Sequence, residues 1–382
     1  MSRHSIILLL ASVVGLLALG ITMLASTTFE VAHEGGEDYV TLWRQLIWLG
    51  LGVLACAIMA LLDFNRLMRW RWHLLIGAAL LLALCYVPGV GVKINGSRRW
   101  IGMAGALRIQ PSEFAKIVLI IALAAWFATH EGCERTFRKG FLLPGLILTG
   151  VVGLIGCEFD LGNAVLASVI GGGIMFLAGT KLRYLGVIVL LFGGALAAGI
   201  KYLPNRFERV IVIFDLEKHK EGLGLQQWVS KLAFGSGGIE GRGLGEGRMK
   251  LSYLPEAHTD FIFPMIGEEL GLRGTAATVL AFGVLVMSGF IVAAYAPNRF
   301  GKLLGGGLTF LLGMEALLNM GVTTALLPNK GLPLPFVSYG GSSLLAAMTA
   351  IGILINIHRQ GVHLRREDLP VIRRKHRWTP QL

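Results

Sequence analysis

Charged residues are scarce in this sequence. Only 15% of its 382 residues are Asp, Glu, Lys or Arg, whereas 54% are hydrophobic. A soluble domain carries roughly a quarter charged residues and has shorter apolar runs. The composition therefore excludes an ordinary water-soluble protein and predicts a chain that folds in a lipid bilayer.

Cysteine-based sites and nucleotide-binding motifs are also lacking. The spacing of the four cysteines matches neither a zinc site nor a disulfide framework, so we interpret them as ordinary small apolar residues: Cys56, Cys85, Cys133 and Cys157. The glycine-dense stretch Gly235–Gly247 never forms a G-x-G-x-x-G fingerprint, and no strand precedes it. A dinucleotide site is thereby excluded.

Long apolar runs are abundant. A membrane-spanning helix needs roughly 20 apolar residues, and the sequence predicts ten such spans, several of which borrow flanking residues. They lie near Ile6–Ser26, Trp43–Leu62, Trp72–Val87, Phe114–Thr129, Phe141–Ile155, Ala164–Leu177, Tyr184–Ile200, Thr275–Ala293, Leu304–Met320 and Ser343–Ile357. The first run is too long for a cleaved signal peptide. We predict an all-α polytopic membrane protein of about ten transmembrane helices.

The lysines and arginines predict the orientation. If the N-terminus is cytoplasmic, the inner segments hold most of the cations, and the positive-inside rule then places both termini in the cytoplasm. These cations include Arg66, Arg69, Arg71, Arg135, Arg138, Lys139, Lys181, Arg183, Arg299, Lys302 and those of the tail, about 359–382. We interpret the tail as a topology determinant that contacts anionic lipid headgroups. It is not interpreted as a nucleic-acid-binding arm.

The outer loops are where function is expected. The chain is predicted to be one membrane domain, 1–382, with outer loops at about 88–112, 204–260 and 321–342. The largest of them joins helices 7 and 8. A loop of that length without secondary structure is uncommon and is usually functional.

A few charged residues lie close to the predicted spans, where charges are expensive and usually face a partner or a water-filled space. They are Glu113, Lys116, Glu158, Asp160, Glu268, Glu269, Arg273 and Lys330. Each also has a structural explanation. Glu113, Glu268 and Glu269 could favour a helix N-terminus, Asp160 could cap the sixth helix, and Lys330 could extend to the headgroups.

Asp260 is the strongest candidate for chemistry. It follows His258 and Thr259 and precedes the apolar residues 261–263, at the point where the large outer loop re-enters the membrane. Desolvation there would raise its proton affinity, which suits a general base. A helix cap is the structural alternative.

Three long motifs resemble those of one known family. Residues 253–263 (YLPEAHTDFIF) with 267–271 (GEELG) look like the signature of the SEDS family, named for shape, elongation, division and sporulation. Residues 95–101 (NGSRRWI) with 110–116 (QPSEFAK), and residues 333–343 (PLPFVSYGGSS), resemble two further SEDS motifs. With the ten-span arrangement, the resemblance covers almost the whole chain.

The resemblance implies an activity. SEDS proteins are peptidoglycan glycosyltransferases that polymerise lipid II at the outer face of the bacterial cytoplasmic membrane. They act with a class B penicillin-binding protein and other membrane proteins of the division or elongation machinery. In the family the position of Asp260 is catalytic, and the positions that match polar residues of the central cavity are Arg98, Glu113, Lys116, Asp160, Lys330 and Ser338.

Two positions depart from the family pattern. Phe159 stands where a proline is common, which puts the turn before Asp160 in doubt. Val229-Ser230 stands where a Gln-Ser pair is usual, so the role of that glutamine cannot be carried over.

The mechanism expected from these residues has two parts. Asp260 accepts the proton of a sugar hydroxyl, with His258 and Thr259 orienting it and Glu268 in support. Arg98, Lys116 and Lys330 hold the pyrophosphate leaving group. A divalent cation, Mg²⁺ or Mn²⁺, is expected to share that work, although no metal ligand set is certain from the sequence.

Three alternatives remain open from the sequence. Polar residues in a helix bundle are also typical of a lipid flippase or secondary transporter, and a non-catalytic scaffold would show the same composition. Within the family, residues 255–258 and 329–333 favour the division type (FtsW) over the elongation type (RodA).

Overall fold

The computed structural model of the chain describes residues 2–29, 39–94, 97–102, 108–202, 212, 215–249 and 258–367. In chain order its elements are α1 (Ser2–Phe29), α2 (Tyr39–Leu61), α3 (Asn65–Leu84), β1 (Gly91–Ile94), β2 (Ser97–Ile101), α4 (Pro111–Thr129), a π-helical turn (Arg138–Leu142), α5 (Leu143–Cys157), α6 (Leu161–Ala178), α7 (Leu182–Tyr202), α8 (Leu225–Gly237), α9 (Ile262–Ala294), α10 (Arg299–Thr323) and α11 (Gly341–Glu367).

The predicted all-α membrane fold is confirmed. Within the described ranges, nine helices are long and apolar enough to cross a bilayer, and α7 adds a shorter apolar stretch, Leu182–Gly194. Each of the ten predicted spans coincides with one of these helices. Part of the basic tail, residues 368–382, lies outside the described residues.

The helices form an inner and an outer set. The inner helices α4, α10 and α11 have mostly buried side chains, whereas α2 and α3 expose most of theirs. The outer helices still pack on the inner ones, α2 along α11 and α3 along α4. Because lipid tails are as apolar as leucine, the exposed leucines and valines of α2 and α3 are the surface expected to face the bilayer.

The predicted start of the eighth span was wrong. The hydropathy pattern begins at Thr275, but α9 begins already at Ile262. The helix is interrupted at Gly271, whose φ of +66° and ψ of −161° are not helical. Glycine tolerates this conformation because it has no Cβ. The short first part of α9 carries Glu268 and Glu269, both buried.

The two larger outer loops contain regular structure. In the 88–112 loop, β1 pairs antiparallel with β2. In the 204–260 loop, α8 packs on α9 and on α10. Gln227 of α8 donates from Nε2 to the carbonyl oxygens of Val322 (2.9 Å) and Leu327 (2.8 Å). Residues 203–211, 213–214 and 250–257 of this loop lie outside the described residues.

The segment 328–340 folds back into the bundle before α11 begins. Its apolar side chains are almost fully buried, namely those of Leu332, Leu334, Phe336 and Val337. A Cβ added to Gly20 of α1 would lie 2.7 Å from the carbonyl oxygen of Phe336, so α1 passes directly over this segment. We call the end of the bundle that carries this segment, β1–β2 and α8 the outer end, as the charge distribution predicts.

The opposite end is closed by polar contacts between loops. Buried Asn356 of α11 donates to the carbonyl oxygen of Ala60 (2.9 Å), and Gln360 donates to Asp63 (2.9 Å). Asn298 caps α10 and donates to Asn65 (2.8 Å). These side chains bond the ends of α2, α3, α10 and α11 to one another, which favours a rigid cytoplasmic end.

Candidate active site

Asp260 lies in the turn just before α9, at the outer end, and is half-buried. Its carbonyl oxygen accepts a hydrogen bond from Nδ2 of Asn319 on α10 (2.8 Å), and the same amide donates to the carbonyl oxygen of Leu332 (2.6 Å). Asn319 is itself buried. One side chain thus fixes Asp260 and the 328–340 segment relative to each other.

Gly331 brings the backbone of that segment against the Asp260 carboxylate. A Cβ added to Gly331 would stand 2.5 Å from Oδ2 of Asp260, closer than real side chains tolerate. Lys330 precedes this glycine and is also half-buried. A carboxylate and an ammonium group therefore share one short stretch of the outer end.

His258 is also tied to the folded-back segment. Its carbonyl oxygen accepts a hydrogen bond from the backbone N–H of Tyr339 (2.9 Å), and the two rings lie 5.8 Å apart. Ser338 stabilises the same segment, because its hydroxyl accepts a bond from the N–H of Leu334 (2.8 Å). The structure therefore places Ser338 in a turn beside the site. Thr259 is half-buried between His258 and Asp260.

Asp160 caps α6, as its structural alternative predicted. Its Oδ1 accepts from the N–H of Asn163 (3.2 Å), while Oδ2 accepts from Asn163 Nδ2 (3.0 Å) and Gln110 Nε2 (3.1 Å). Arg99 adds a longer contact of 3.5 Å. The preceding turn holds Phe159 at a φ of +60°. Proline, whose ring fixes φ at about −65°, could not adopt this conformation, so the turn as built here does not accommodate the family's usual proline.

The two arginines of β2 differ in exposure. Arg98, the predicted pyrophosphate ligand, has an exposed side chain, whereas Arg99 is half-buried and reaches Asp160. The hairpin is irregular here, because Val92 pairs with Trp100 and Lys93 with Arg98, which leaves Arg99 as the extra residue of a β-bulge. A bulge redirects a side chain out of the regular alternation of a strand. Arg99 was missed in the sequence. Its direction could have been found only from the register of the hairpin.

Lys116 lies in a buried polar cluster, which we call the inner cluster: Glu113, Lys116, Asn163 and Glu315. The ammonium group donates to both oxygens of Glu113 (3.0 Å each), to Asn163 Oδ1 (3.0 Å) and to Glu315 Oε1 (2.6 Å). An ammonium group has three donors, and all three are engaged. In this state Lys116 has no donor left for the pyrophosphate that it was predicted to bind.

Glu315 was not selected from the sequence. It lies on α10, 199 residues after Lys116. The signal was present, since Glu315 interrupts the predicted span Leu304–Met320 and a carboxylate inside a span usually has a partner. The inner cluster links α4, α6 and α10.

Glu158 is a buried carboxylate of a different kind. Neither of its oxygens accepts a hydrogen bond in the described part of the chain. Burial raises the pKa of its carboxyl to about 7; the nearby Asp160 contributes to the rise, while Cys85 and Arg99 oppose it. Glu158 therefore changes its protonation state close to neutral pH and is largely protonated below it.

Glu268 contacts the glycine-rich stretch after α8 and lies nearly two turns into α9, the helix that follows Asp260. Its Oε1 accepts from the N–H of Arg248 (2.8 Å), and its Oε2 from the N–H of Met249 (3.1 Å). Glu269 accepts bonds from Ser26 of α1 (2.7 Å) and the N–H of Gly245 (3.1 Å). Residues 253–257 of the predicted signature lie outside the described residues.

The space between the inner cluster and the cytoplasmic end is filled with apolar side chains. Ile120 of α4 and Ile174 of α6 meet at Gly307 of α10, where a Cβ would lie 2.7 Å from one and 3.1 Å from the other. Fully buried neighbours complete this layer, namely Leu119, Leu123, Leu304 and Leu308. This apolar layer separates the inner cluster from the cytoplasmic end.

The described residues provide no cage for a metal ion. No three His, Cys, Asp or Glu side chains converge among them in a way that could hold a cation. Asp260 offers one carboxylate at the outer end, whereas an all-protein Ca²⁺ or Zn²⁺ site needs four or more ligands. The expected Mg²⁺ or Mn²⁺ stays a prediction.

Comparison with known proteins gives a consistent result. A family model for FtsW, RodA and SpoVE, described as cell cycle protein, matches residues 6–363. A protein of Trichlorobacter lovleyi named "Probable peptidoglycan glycosyltransferase FtsW" is 39% identical over 361 residues, which cover 94% of this chain and 93% of that protein. A Pseudomonas fluorescens protein of the same name is 36% identical over 366 residues, which cover 94% and 90% of the two chains.

Solved structures are similar as well. One, described as structural coordination of polymerization and crosslinking by a peptidoglycan synthase complex, is 32% identical with a TM-score of 0.76, covering 92% of this chain and 97% of that one. The rod shape determining protein RodA of Thermus thermophilus is 30% identical with a TM-score of 0.68, covering 92% and 96%.

Proposed function

The chain belongs to the FtsW/RodA/SpoVE family, and from that premise we propose that it is a peptidoglycan glycosyltransferase that polymerises lipid II for septal synthesis. It is a multi-pass protein of the bacterial cytoplasmic membrane. The observation that carries the proposal is the position of Asp260, which Asn319 and Gly331 hold beside Lys330 at the outer end.

The reaction joins two lipid-linked sugars. The 4-hydroxyl of an incoming lipid II attacks the anomeric carbon of the growing strand, so a new C–O bond forms. The bond from that carbon to the pyrophosphate oxygen breaks, and the lipid pyrophosphate leaves with the electron pair. Asp260 accepts the hydroxyl proton, since a carboxylate at the outer end can act as a general base.

The leaving group needs positive charge. Lys330 directly precedes Gly331, whose backbone lies against the Asp260 carboxylate, and this proximity supports Lys330 as a cation for the developing negative charge. Arg98 supplies a guanidinium group on the exposed face of the outer hairpin and is available for a second contact. Lys116 is assigned a different role, because its three donors hold the inner cluster together.

A divalent cation remains part of the proposal. When bound, Mg²⁺ or Mn²⁺ would be held mostly by the pyrophosphate oxygens, with Asp260 as a carboxylate ligand, and it would neutralise developing charge. No step above depends on it.

Partners follow from the same family membership. We propose that a class B penicillin-binding protein cross-links the strands that this chain makes, together with other membrane proteins of the division machinery. The similarity to a peptidoglycan synthase complex supports this. An elongation-type role is the alternative, and it is distinguished by where a fluorescent fusion localises, at the septum or along the side wall.

A lipid flippase is the rival activity. It would need a path for a polar headgroup across the bundle, whereas the apolar layer around Gly307 and the bonded loops of the cytoplasmic end favour a site open only to the outside. A scaffold without activity would not need a carboxylate held at the outer end.

One reconstitution experiment separates these activities. The full-length protein in vesicles with lipid II should form glycan strands, and Asp260→Asn should lower the rate by roughly 10²–10⁴-fold. Asp215→Asn, in an outer carboxylate paired with Lys218, is the matched control and should keep the wild-type rate. Leaflet exchange without strands would indicate a flippase, and neither activity without an added transpeptidase would indicate a scaffold.

A further inference from the structure

Two adjacent carboxylates on the first part of α9 are buried without being part of the reaction. Glu268 and Glu269 are 0% and 1% exposed. A buried charge is costly unless hydrogen bonds compensate it. What compensates these two is chiefly the backbone of the glycine-rich stretch after α8, together with Ser26.

The Glu268 carboxylate binds two consecutive backbone amides. Oε1 accepts from the N–H of Arg248 at 2.8 Å and Oε2 from the N–H of Met249 at 3.1 Å. The hydroxyl of Ser236 adds a bond of 3.4 Å, and the guanidinium group of Arg242 lies 4.0 Å away. Glu268 therefore binds the backbone at the end of the glycine-rich stretch.

The break in α9 makes a second set of bonds to the same stretch. Because the helix is interrupted at Gly271, the carbonyl oxygens of Glu268 and Glu269 accept bonds from the N–H groups of Arg242 and Gly243 (3.0 Å each). Glu269 also binds the N–H of Gly245 (3.1 Å) and the hydroxyl of Ser26 on α1 (2.7 Å). Residues 242–249 are thus attached along α9.

These contacts lie on the helix that Asp260 directly precedes. Met249 is bonded to Glu268, and Asp260 lies just before the helix that carries Glu268. Met249 and Asp260 are therefore both attached to the first part of α9. On its other side Asp260 is held by Asn319.

We propose that Glu268 and Glu269 are positioning residues: by holding residues 242–249 on the first part of α9, they fix the start of the helix that Asp260 directly precedes, and so set the orientation of the Asp260 carboxylate towards the sugar hydroxyl. The proposal rests on the proposed glycosyltransferase function. A misplacement of about 1 Å at a reacting group can cost on the order of 10²-fold in rate. Loss of the Glu268 contacts should therefore lower kcat, while lipid II binding, which other residues provide, should change little.

The test uses the full-length protein in vesicles with lipid II. Glu268→Gln keeps the size of the side chain but replaces one acceptor with a donor that faces an N–H group. We expect kcat to fall roughly 10–10²-fold with KM within about twofold. Glu240→Gln is the matched control, because this glutamate of the same stretch is exposed and pairs only with Arg273 at the surface. It should retain the wild-type kcat.

Amide hydrogen exchange gives a readout that does not depend on activity. In Glu268→Gln the amides of Arg248, Met249 and His258–Asp260 should exchange faster than in wild type, with the cytoplasmic ends of the helices unchanged. Ser26→Ala is the second variant and should speed exchange at Gly245 with a smaller loss of kcat. It keeps the proposal testable if Glu268→Gln does not fold.

The outcomes separate the two proposals. Wild-type protein that makes no glycan strands would refute the proposed function, whereas the exchange pattern would still report on the loop. An active wild type with an unchanged kcat in Glu268→Gln or, if that variant does not fold, in Ser26→Ala would overturn the positioning role. So would a fall in kcat that a general loss of thermal stability explains, with no faster exchange at His258–Asp260.

Discussion

Two sites of this molecule combine carboxylates with a lysine, and they differ in how far the charged side chains are buried. In the inner cluster, the side chains of Lys116, Glu113 and Glu315 are 1%, 4% and 8% exposed. The ammonium group donates all its hydrogen bonds to the two carboxylates and to Asn163. At the outer end, Asp260 and Lys330 are only half-buried. A charge that is fully enclosed by partners fixes helices, whereas one that keeps contact with solvent can meet a substrate.

The largest effect is expected from breaking the inner cluster. Lys116→Met would leave two buried carboxylates without their cation, which costs about 3–5 kcal/mol in the free energy of unfolding. Thermal unfolding of the purified protein measures it. Adding Glu315→Gln to Lys116→Met should recover part of the loss, because one of the unpaired charges is then removed. A double variant no more stable than the single one would contradict the assignment.

The outer lysine should behave in the opposite way. Lys330→Met is expected to lower kcat by roughly 10–10²-fold, since one cation for the leaving group is lost, while the melting temperature changes little. Glycan synthesis and thermal unfolding measured on the same preparation check both parts. If Lys330→Met were as unstable as Lys116→Met, the distinction between the two sites would fail.

A glycine tests how closely the outer site is built. Gly331→Ala would place a Cβ 2.5 Å from Oδ2 of Asp260, so the carboxylate must move, and we expect kcat to fall about tenfold. Gly340→Ala is the control in the same segment, because its Cβ would meet its nearest neighbours at 3.8 Å. Equal rates for the two variants would show that the position of Asp260 against Gly331 does not matter.

The smallest expected effect concerns Glu158 and depends on pH. Burial raises the pKa of its carboxyl to about 7 in the folded protein, from the ordinary glutamate value of about 4.5. Folding therefore favours the protonated form, and the stability contributed by Glu158 is lost as pH rises from about 4.5 to 7. Glu158→Gln should add on the order of 1–3 kcal/mol at pH 8 and little at pH 5. Melting curves at both values decide; an equal gain at each would contradict a titrating Glu158.

Much of the fold was predictable because membrane spans are marked by local composition. All ten predicted spans lie on helices, and the SEDS motifs identified the family that the comparisons confirm. Asp260 was selected as a candidate from its neighbours, a carboxylate between a polar loop and an apolar run, and its role stays a prediction. The early start of α9 was missed, because Gly267, Glu268 and Glu269 do not look like part of a span when only hydropathy is considered.

Within the site, the residue types were predictable and their partners were not. Asp160 could be suspected as a helix cap from the residues that follow it, and the structure bears this out. Arg98 and Arg99 are adjacent in sequence, so only the register of β1 and β2 decides which of them reaches Asp160.

The sequence alone determined that this chain folds in a membrane, where its spans lie, to which family it belongs and where its strongest candidate base stands. These properties depend on residues that are close together along the chain. Only the tertiary structure decided that Lys116 is enclosed by Glu113 and Glu315, and that Glu268 accepts a hydrogen bond from the N–H of Met249. Such contacts join distant residues across the bundle, and hydropathy and short motifs carry no information about which side chains meet there.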